Sequence, residues 1–566
     1  MTTAATTSRG AGGAAGAAGT GRPARSPWAI LAVLCLGLFM ILLDGTIVNI
    51  AIPHIMRDFA TGLSDVEWVM NAYVLAFAVT LVTLGRFGDL YGRRRLFTAG
   101  MVLFTLASLA CGVAPGVYWL VAFRVVQGLG GAAMMPSTLS IIAAVFPAER
   151  RGAAMGVWGG VSGLATAIGP SLGGLIVDSA SWRWIFLINV PVGVVGVLLA
   201  LRVVPESRNP EAVETLDLPG VGLVSASLFC LTFALVEGQR LGWTSAAILG
   251  LFVAAAALFV AFYLRERAVR QPLIDFSLFR SLNFAAGNLT GLLLSAAMMG
   301  VFFTIPIFLQ TVLGYSALKA GLVMSPMSIV IIFAAPLAGR LSDSLGSRWI
   351  VAVGMGLLAF GIAWMAGLTP WHEALRPDTP SSSLLFPFIL SGVGIGFAVA
   401  PVTSAVMATA PRDRVGNASG VLSTTRQVGS LMGIAILGAV LQNRITANVS
   451  EGLARVPGLP AALRARILDG LDAGMQMGPP AGGGSLPPAA REAMATLFRQ
   501  WFTDAINTTF VVGVAFAAVG GLSALLLRSH VRRHEPHAEA VADTALAVEA
   551  VEAPLAEMDE ALHEDG

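Results

Sequence analysis

"GRFGDLYGRR", residues 85–94, returns as "GRLSDSLGSR", residues 339–348, with Gly, Arg, Asp, Gly and Arg at matching positions. The offset is 254 residues. Two further landmarks recur in the same order. Pro53 is matched by Pro306, and Pro147, Arg150, Gly152, Gly156 and Val157 are matched by Pro411, Arg414, Gly416, Gly420 and Val421. Three landmarks in one order imply two like halves that run in the same direction.

Around these motifs the chain is apolar. Of its 566 residues 56% are hydrophobic and 12% charged, about half the charge of a soluble domain. Apolar runs of about 20 residues recur, each long enough at 1.5 Å per residue to cross a hydrocarbon core of about 30 Å. They must be helices, because a lipid-exposed backbone has to satisfy its hydrogen bonds within its own segment. Spans are expected near 28–52, 66–84, 96–114, 117–145, 152–177, 184–204, 218–236, 245–264, 284–312, 317–338, 349–368, 384–409, 415–441 and 506–528. Fourteen spans put both termini on one side, and the arginine-rich segments "GRFGDLYGRRR", "LRERAVR", "GRLSDSLGSR" and "RSHVRR" make that side the cytoplasm.

The domain reading follows. Residues 1–26 form a disordered cytoplasmic arm, 28–204 a first six-helix half, and 205–283 a linker with two inserted helices. Residues 284–528 form the second half, interrupted by a long extracytoplasmic loop at 442–504 with two short helices. An acidic, disordered cytoplasmic tail closes the chain at 529–566.

Composition also excludes chemistry. Lys319 is the sole lysine and lies in "GYSALKAG", so no P-loop of the form G-x-x-x-x-G-K-[ST] exists. Cys35, Cys111 and Cys230 lie far apart in apolar stretches and read as core residues. No H-E-x-x-H, G-x-S-x-G or C-x-x-C occurs, and the reading is of a non-enzyme that needs no cofactor or metal. A net charge of +2 implies no nucleic-acid partner.

Five motifs carry a resemblance: "LLDGTIVNIAIP" ending the first span, "GRFGDLYGRRR", "LVAFRVVQGLGGAA" in the fourth, "GLATAIGPSLGG" in the fifth and "WRWIFLINVP" entering the sixth. With them the chain resembles the major facilitator superfamily over residues 28–528, and within it the fourteen-span drug:proton antiporters. The resemblance implies an all-α polytopic membrane fold, two six-helix halves related by a parallel repeat, plus two extra central helices. Such halves rock around a central site.

Asp44 breaks the first apolar run. It lies nine residues before Pro53, about 13 Å from the outer end, and Arg124 lies seven residues into the fourth span, about 10 Å from the same end. An intramembrane charge costs at least about 2.5–3.5 kcal/mol, so both should face the bundle interior. Asp44 is the candidate for loading and releasing a proton, with Arg124 as its modulator; the plainer alternatives are a helix-capping carboxylate and an anchor to backbone carbonyls. Asn49, Asn71, Tyr73, Gln127 and Gln310 are placed nearest a central substrate cavity. Arg426 lies near mid-membrane in the thirteenth span, where a substrate carboxylate, buried carbonyls or a distant acid are all open as partners. The tenth span carries no acid, a departure from members of the resembled family that export dicationic drugs and can carry an additional membrane acid, so the resemblance does not extend to dicationic substrates.

Gly85, Arg86, Asp89, Gly92, Arg93 and Arg94, with Gly339, Arg340, Asp343 and Arg348, are read as two tight gating loops, the glycines allowing close approach. The alternative is arginines that only set topology. In "GLATAIGPSLGG", Gly163, Gly169, Gly173 and Gly174 form a small-residue face and Pro170 bends the helix. The resemblance associates that motif with export. Met134, Met135, Met298, Met299, Phe302 and Phe303 are core or lipid contacts, or else an adaptable apolar pocket. Trp182, Trp184 and Trp243 read as interface anchors.

The expectation is therefore a monomeric, proton-coupled antiporter of the bacterial cell membrane that exports small amphipathic drugs or antibiotics. Two rivals stay open: a carrier of one metabolite, lipid or peptide, and a non-transporting sensor or scaffold using the 442–504 loop.

Overall fold

The computed structural model describes residues 26–61, 63–207, 217–269, 272–370, 373–411, 415–454 and 488–528. Most of the N-terminal arm, the middle of the long loop and the acidic tail fall outside the described residues. The first half comprises α1 (Pro27–Phe59), α2 (Leu63–Tyr91), α3 (Arg93–Gly112), α4 (Val117–Val145), α5 (Ala148–Ser179), the single turn α6 (Trp184–Leu187) and α7 (Asn189–Val203). The inserted pair is α8 (Leu218–Leu241) and α9 (Ala246–Ala268). The second half comprises α10 (Leu282–Ile307), α11 (Ala317–Leu345), α12 (Ser347–Met365), α13 (Leu385–Thr409), α14 (Val415–Ala454) and α15 (Pro488–Ala524). Among the described residues thirteen segments are long and apolar enough to cross a membrane. Beside them α5 is 32 residues long, about 48 Å at 1.5 Å per residue.

Three boundaries differ from the sequence expectation. Pro53 does not end the first helix, which runs on to Phe59, so Asp44 sits near the middle of a 33-residue helix. A proline inside a helix forfeits one hydrogen bond, and neighbouring helices hold the chain in place regardless. The repeated motif is not a pair of loops. Gly85 to Tyr91 complete α2 and Gly339 to Leu345 complete α11; the reversal is made by Gly92 (φ 108°) and Gly346 (φ 84°), which open α3 and α12. Those positive φ values are easy only for glycine.

The third difference is the long loop. Its described ends are continuous helix rather than separate short helices: α14 is 40 residues long, about 60 Å at 1.5 Å per residue, or twice the hydrocarbon thickness. Leu441, Ile445, Val449 and Leu453 recur every fourth residue and pack with Phe498, Phe502 and Ile506 of α15. Asn448 Nδ2 donates to the Trp501 carbonyl at 3.1 Å.

The halves meet at the end that carries Gly92 and Gly346. A Cβ on Gly85 would lie 3.0 Å from the Gly416 carbonyl oxygen and from Gly420 Cα, and one on Gly156 would lie 2.5 Å from Pro336 Cα. A Cβ on Gly339 would strike the Gly152 carbonyl. The repeat thus pairs α2 with α14 and α11 with α5 through equivalent glycines, the close approach that small residues permit between membrane helices. One apolar cluster there contains Phe146 and Met155 of the first half together with Val406, Met407, Val415 and Leu422 of the second. At the opposite end Ile47, Val66, Cys111, Leu120 and Phe186 form a cluster of the first half alone. The second half has its own. Among the described residues the buried apolar clusters join the two halves at the Gly92 end and keep them separate at the other.

Candidate functional site

Asp44 and Arg124 come together inside the first half, both with 0% exposure. Arg124 Nη1 donates to Asp44 Oδ2. The other carboxylate oxygen accepts from Gln127 Nε2 at 2.8 Å and from Asn189 Nδ2 at 3.3 Å. Gln127 also donates to Ser108 Oγ at 2.8 Å and accepts from Arg124 Nη1 at 2.7 Å, while Arg124 Nε donates to the Val69 carbonyl at 2.9 Å. Tyr73 lies with its ring centroid 4.1 Å from Arg124 Cζ. Its hydroxyl donates to the Ile41 carbonyl at 3.4 Å.

Helix geometry explains the cluster. Arg124 and Gln127 are three residues apart on α4, hence on one face. Asn189 is the first residue of α7, delivered by the turn of "WRWIFLINVP". Five helices therefore contribute to one buried ion pair. Such a pair is bound strongly once formed but is expensive to desolvate, so a well-packed apolar pair would serve stability at least as well. Arg124 Nη2 is buried with no partner, so the guanidinium is not fully satisfied here. One residue from Asp44, a Cβ on Gly45 would meet nothing within 4 Å. Open space thus borders the helix at Gly45, about 100° round from the buried carboxylate.

The other expected cavity residues disperse. Tyr73 and Gln127 belong to the buried Asp44 network rather than to a cavity wall. Asn71 Nδ2 donates to Glu237 Oε1 of the inserted helix α8 at 3.5 Å. Gln310 is exposed, on the π-helical turn Phe308–Val312 that follows Pro306. The side chain of Asn49 lies outside the described residues, as do those of Pro170 and Asp343. Arg426 Nη2 donates to the Val399 carbonyl at 3.0 Å and to Thr403 Oγ1 at 2.7 Å. Met134 is core; Met135, Met298, Met299, Phe302 and Phe303 are part-exposed.

At the joined end Asp89 is buried and accepts from Arg93 Nη2 at 2.9 Å on one oxygen. Its other oxygen accepts from the Asn417 backbone N–H at 3.1 Å. That N–H belongs to the first turn of α14, where a helix presents unpaired donors and partial positive charge. Asp89 therefore ties α2 of one half to α14 of the other. Ser140 and Ser419 add a hydroxyl pair at 2.7 Å across the same seam. Arg94 Nη2 donates to the Leu201 carbonyl at 2.8 Å, and Arg94 N to Glu206 Oε1 at 3.2 Å, holding α3 to the last turn of α7 and the segment after it. Arg86 is half-buried, Arg340 exposed and Arg348 stacked on Trp349 at 5.1 Å.

In the fifth-span motif, Gly163 packs on Ile331 of α11, with a would-be Cβ contact of 2.7 Å. Gly169 packs on Thr46 and Gly173 on Ile47, both of α1. Gly174 is buried. The small-residue face thus turns from the other half to its own within one motif. Trp182 is not an interface anchor: it is 4% exposed and donates to Asp58 at 3.1 Å.

Asn189, Ser108, Glu237 and Asn417 carry polar contacts that the sequence reading did not single out. Asn189 had a signal, an asparagine in a quoted motif. Ser108 had none.

The sequence profile of the Major Facilitator Superfamily matches residues 34–434. The tetracenomycin C resistance and export protein of Streptomyces glaucescens is 33% identical over 89% of this chain and 92% of its own. The multidrug resistance protein Stp of Mycobacterium tuberculosis is 37% identical over 74% of this chain and 77% of its own. The crystal structure of the human organic anion transporter MFSD10 shares the fold at a TM-score of 0.56 and 13% identity, covering 88% of this chain and 100% of that one. The chain is a polytopic membrane transporter and belongs to the Major Facilitator Superfamily.

Proposed function

We propose that this protein is a proton-coupled antiporter that exports small amphipathic organic compounds, drugs or antibiotics, across the bacterial cell membrane as a fourteen-span monomer with both termini in the cytoplasm. The observation that carries the coupling is the buried Asp44 carboxylate, held by Arg124, Gln127 and Asn189. An intramembrane ionisable residue is a functional candidate by default. The full names of relatives that confer resistance or export an antibiotic support the choice of cargo.

The chemistry runs through this chain's own groups. With the halves joined at the Gly92 end, the carboxylate is charged and paired. Rocking of the halves is coupled to a shift of α1 against α4 within the first half; Arg124 then withdraws and Asp44, left in a poorly solvated place, takes a proton. Return of the guanidinium expels it. Asp89 stabilises one rocked form through Asn417 and releases it when α2 and α14 separate. A ligand shifts such an equilibrium only by its differential affinity for the two forms.

Proteoliposomes with an imposed pH gradient test this reading. Wild-type protein moves lipophilic dyes against their gradient, and Asp44→Asn abolishes uphill movement while leaving dye binding in place. Uphill transport by Asp44→Asn at the wild-type rate removes the carboxylate from the mechanism.

A further inference from the structure

Arg426 lies where the halves face one another. Its stem packs on Gly291 of α10, with a would-be Gly291 Cβ 3.8 Å from Arg426 Cγ. Its guanidinium is tied to α13 through Val399 and Thr403. Across the divide its Cζ lies 5.9 Å from the centroid of the Trp158 ring on α5. Trp158 is fixed by an indole N–H bond to Thr138 Oγ1 at 3.2 Å.

Both protein bonds use Nη2. Nε and Nη1 have no hydrogen-bond partner among the described residues, and neither is a closed-off buried atom, so these donors reach open space. No carboxylate pairs with this guanidinium among the described residues. The sequence explains why. Helices α10, α12 and α13 contain no Asp or Glu, and α11 and α14 carry only Asp343 and Glu451, far along each helix from the level of Arg426. The membrane acid of the first half is already neutralised by Arg124. The contact surface between the halves therefore offers a fixed positive charge with spare donors, backed by the buried Trp158 ring, with the part-exposed Met298, Met299 and Phe302 two to three turns along α10 from Gly291.

We infer that Arg426 is a specificity-determining residue for cargo carrying an acidic headgroup, so that the favoured substrates are amphipathic organic anions such as aromatic carboxylates or phenolates. This rests on the export reading above and names its substrate class. Nη2 is already engaged, so the spare Nε–H and Nη1–H can each give a single charge-assisted hydrogen bond to an anionic oxygen, and the low hydration of a guanidinium suits a dry site. The part-exposed Met298, Met299 and Phe302 further along α10 receive the apolar body. Because the guanidinium belongs to one half and its ring contact Trp158 to the other, cargo held by Arg426 sits at the seam between the halves.

Equilibrium binding in nanodiscs tests the charge rule without any proton gradient. The probes are 7-methoxycoumarin-3-carboxylate and its ethyl ester, which share a ring system without an ionisable phenol and differ in the carboxylate charge. Wild-type protein is expected to bind the acid about tenfold or more tightly than the ester, the range of a charge-assisted hydrogen bond. Arg426→Gln removes that preference and leaves ester affinity within about twofold, while Arg426→Lys retains part of it. Equal binding of acid and ester by wild-type protein overturns the inference, as does an Arg426→Gln variant that weakens both alike. Loss of folding in Arg426→Gln does not blur the outcome, since the wild-type comparison stands alone. Failure of gradient-driven transport with the acid preference intact overturns proton coupling and leaves this inference standing.

Discussion

Asp44 accepts three hydrogen bonds from side chains on two other helices, and this satisfaction decides what its substitutions do. Arg124→Met leaves a buried carboxylate without its counter-ion and is expected to destabilise the protein by about 3–5 kcal/mol. Adding Asp44→Leu to it removes both charges, so the double variant recovers most of that loss in thermal unfolding while transport stays abolished. A double variant as unstable as Arg124→Met would show that packing, not charge, sets the cost. A second carboxylate sits outside the membrane. Arg183 Nη1 donates to Asp58 at 2.5 Å, and this bond, helped by Trp182, holds the Asp58 carboxyl below its usual range. A depressed folded-state value contributes stability above the unfolded pKa of about 3.9, lost as pH falls through the lower folded value. Arg183→Gln should therefore lower the melting temperature at pH 7 and have progressively less effect as the pH is taken below that folded value. The effect is small, because the Asp58 side chain is 45% exposed and water screens the pair.

At the level of helices, the seam between the halves rests on glycine positions. Gly156→Leu pushes α5 away from Pro336 on α11, and overpacking of this kind costs the joined form about 1–3 kcal/mol. The expected result is a population shifted towards separation at the Gly92 end. Ser419→Cys, whose native hydroxyl is buried against Ser140, should then react faster with a maleimide in the Gly156→Leu background. Unchanged labelling would mean that the seam is not the moving part. The same helices show what pattern reading captures. Equivalent glycines 254 and 264 residues apart marked two halves, and those glycines are the contact points between them. Periodicity could not reveal that "GRFGDLY" finishes a helix, because Gly88 and Asp89 look like turn formers and only packing against α14 keeps them helical. Nor could a hydropathy count end α14 correctly. Leu441, Ile445, Val449 and Leu453 repeat at helical spacing among polar residues, a stripe and not a run.

Across the whole molecule, two halves share one apolar cluster at one end and keep separate clusters at the other. That asymmetry is the signature of one state of an alternating carrier, and the charged groups are distributed to match it. Asp89 locks the joined end, Arg426 looks into the divide, and Asp44 lies inside the first half rather than on the cavity wall. That Asp44 and Arg124 turn inward was legible from the cost of an intramembrane charge; their pairing was not, because the depth count that set them level took Pro53 as the helix end and α1 runs on to Phe59. Nor were Asn189 and Ser108, because hydrogen-bond partners from α7 and α3 are chosen by tertiary packing that no spacing records. The most direct test of proton coupling is to add substrate to purified protein in weakly buffered detergent solution, at a series of starting pH values, and follow the pH. Antiport through Asp44 predicts that substrate drives protons into solution from the wild-type protein and none from Asp44→Asn at equal occupancy. Release that persists undiminished in Asp44→Asn, or no release from wild-type protein that binds substrate across the whole pH range, would contradict it.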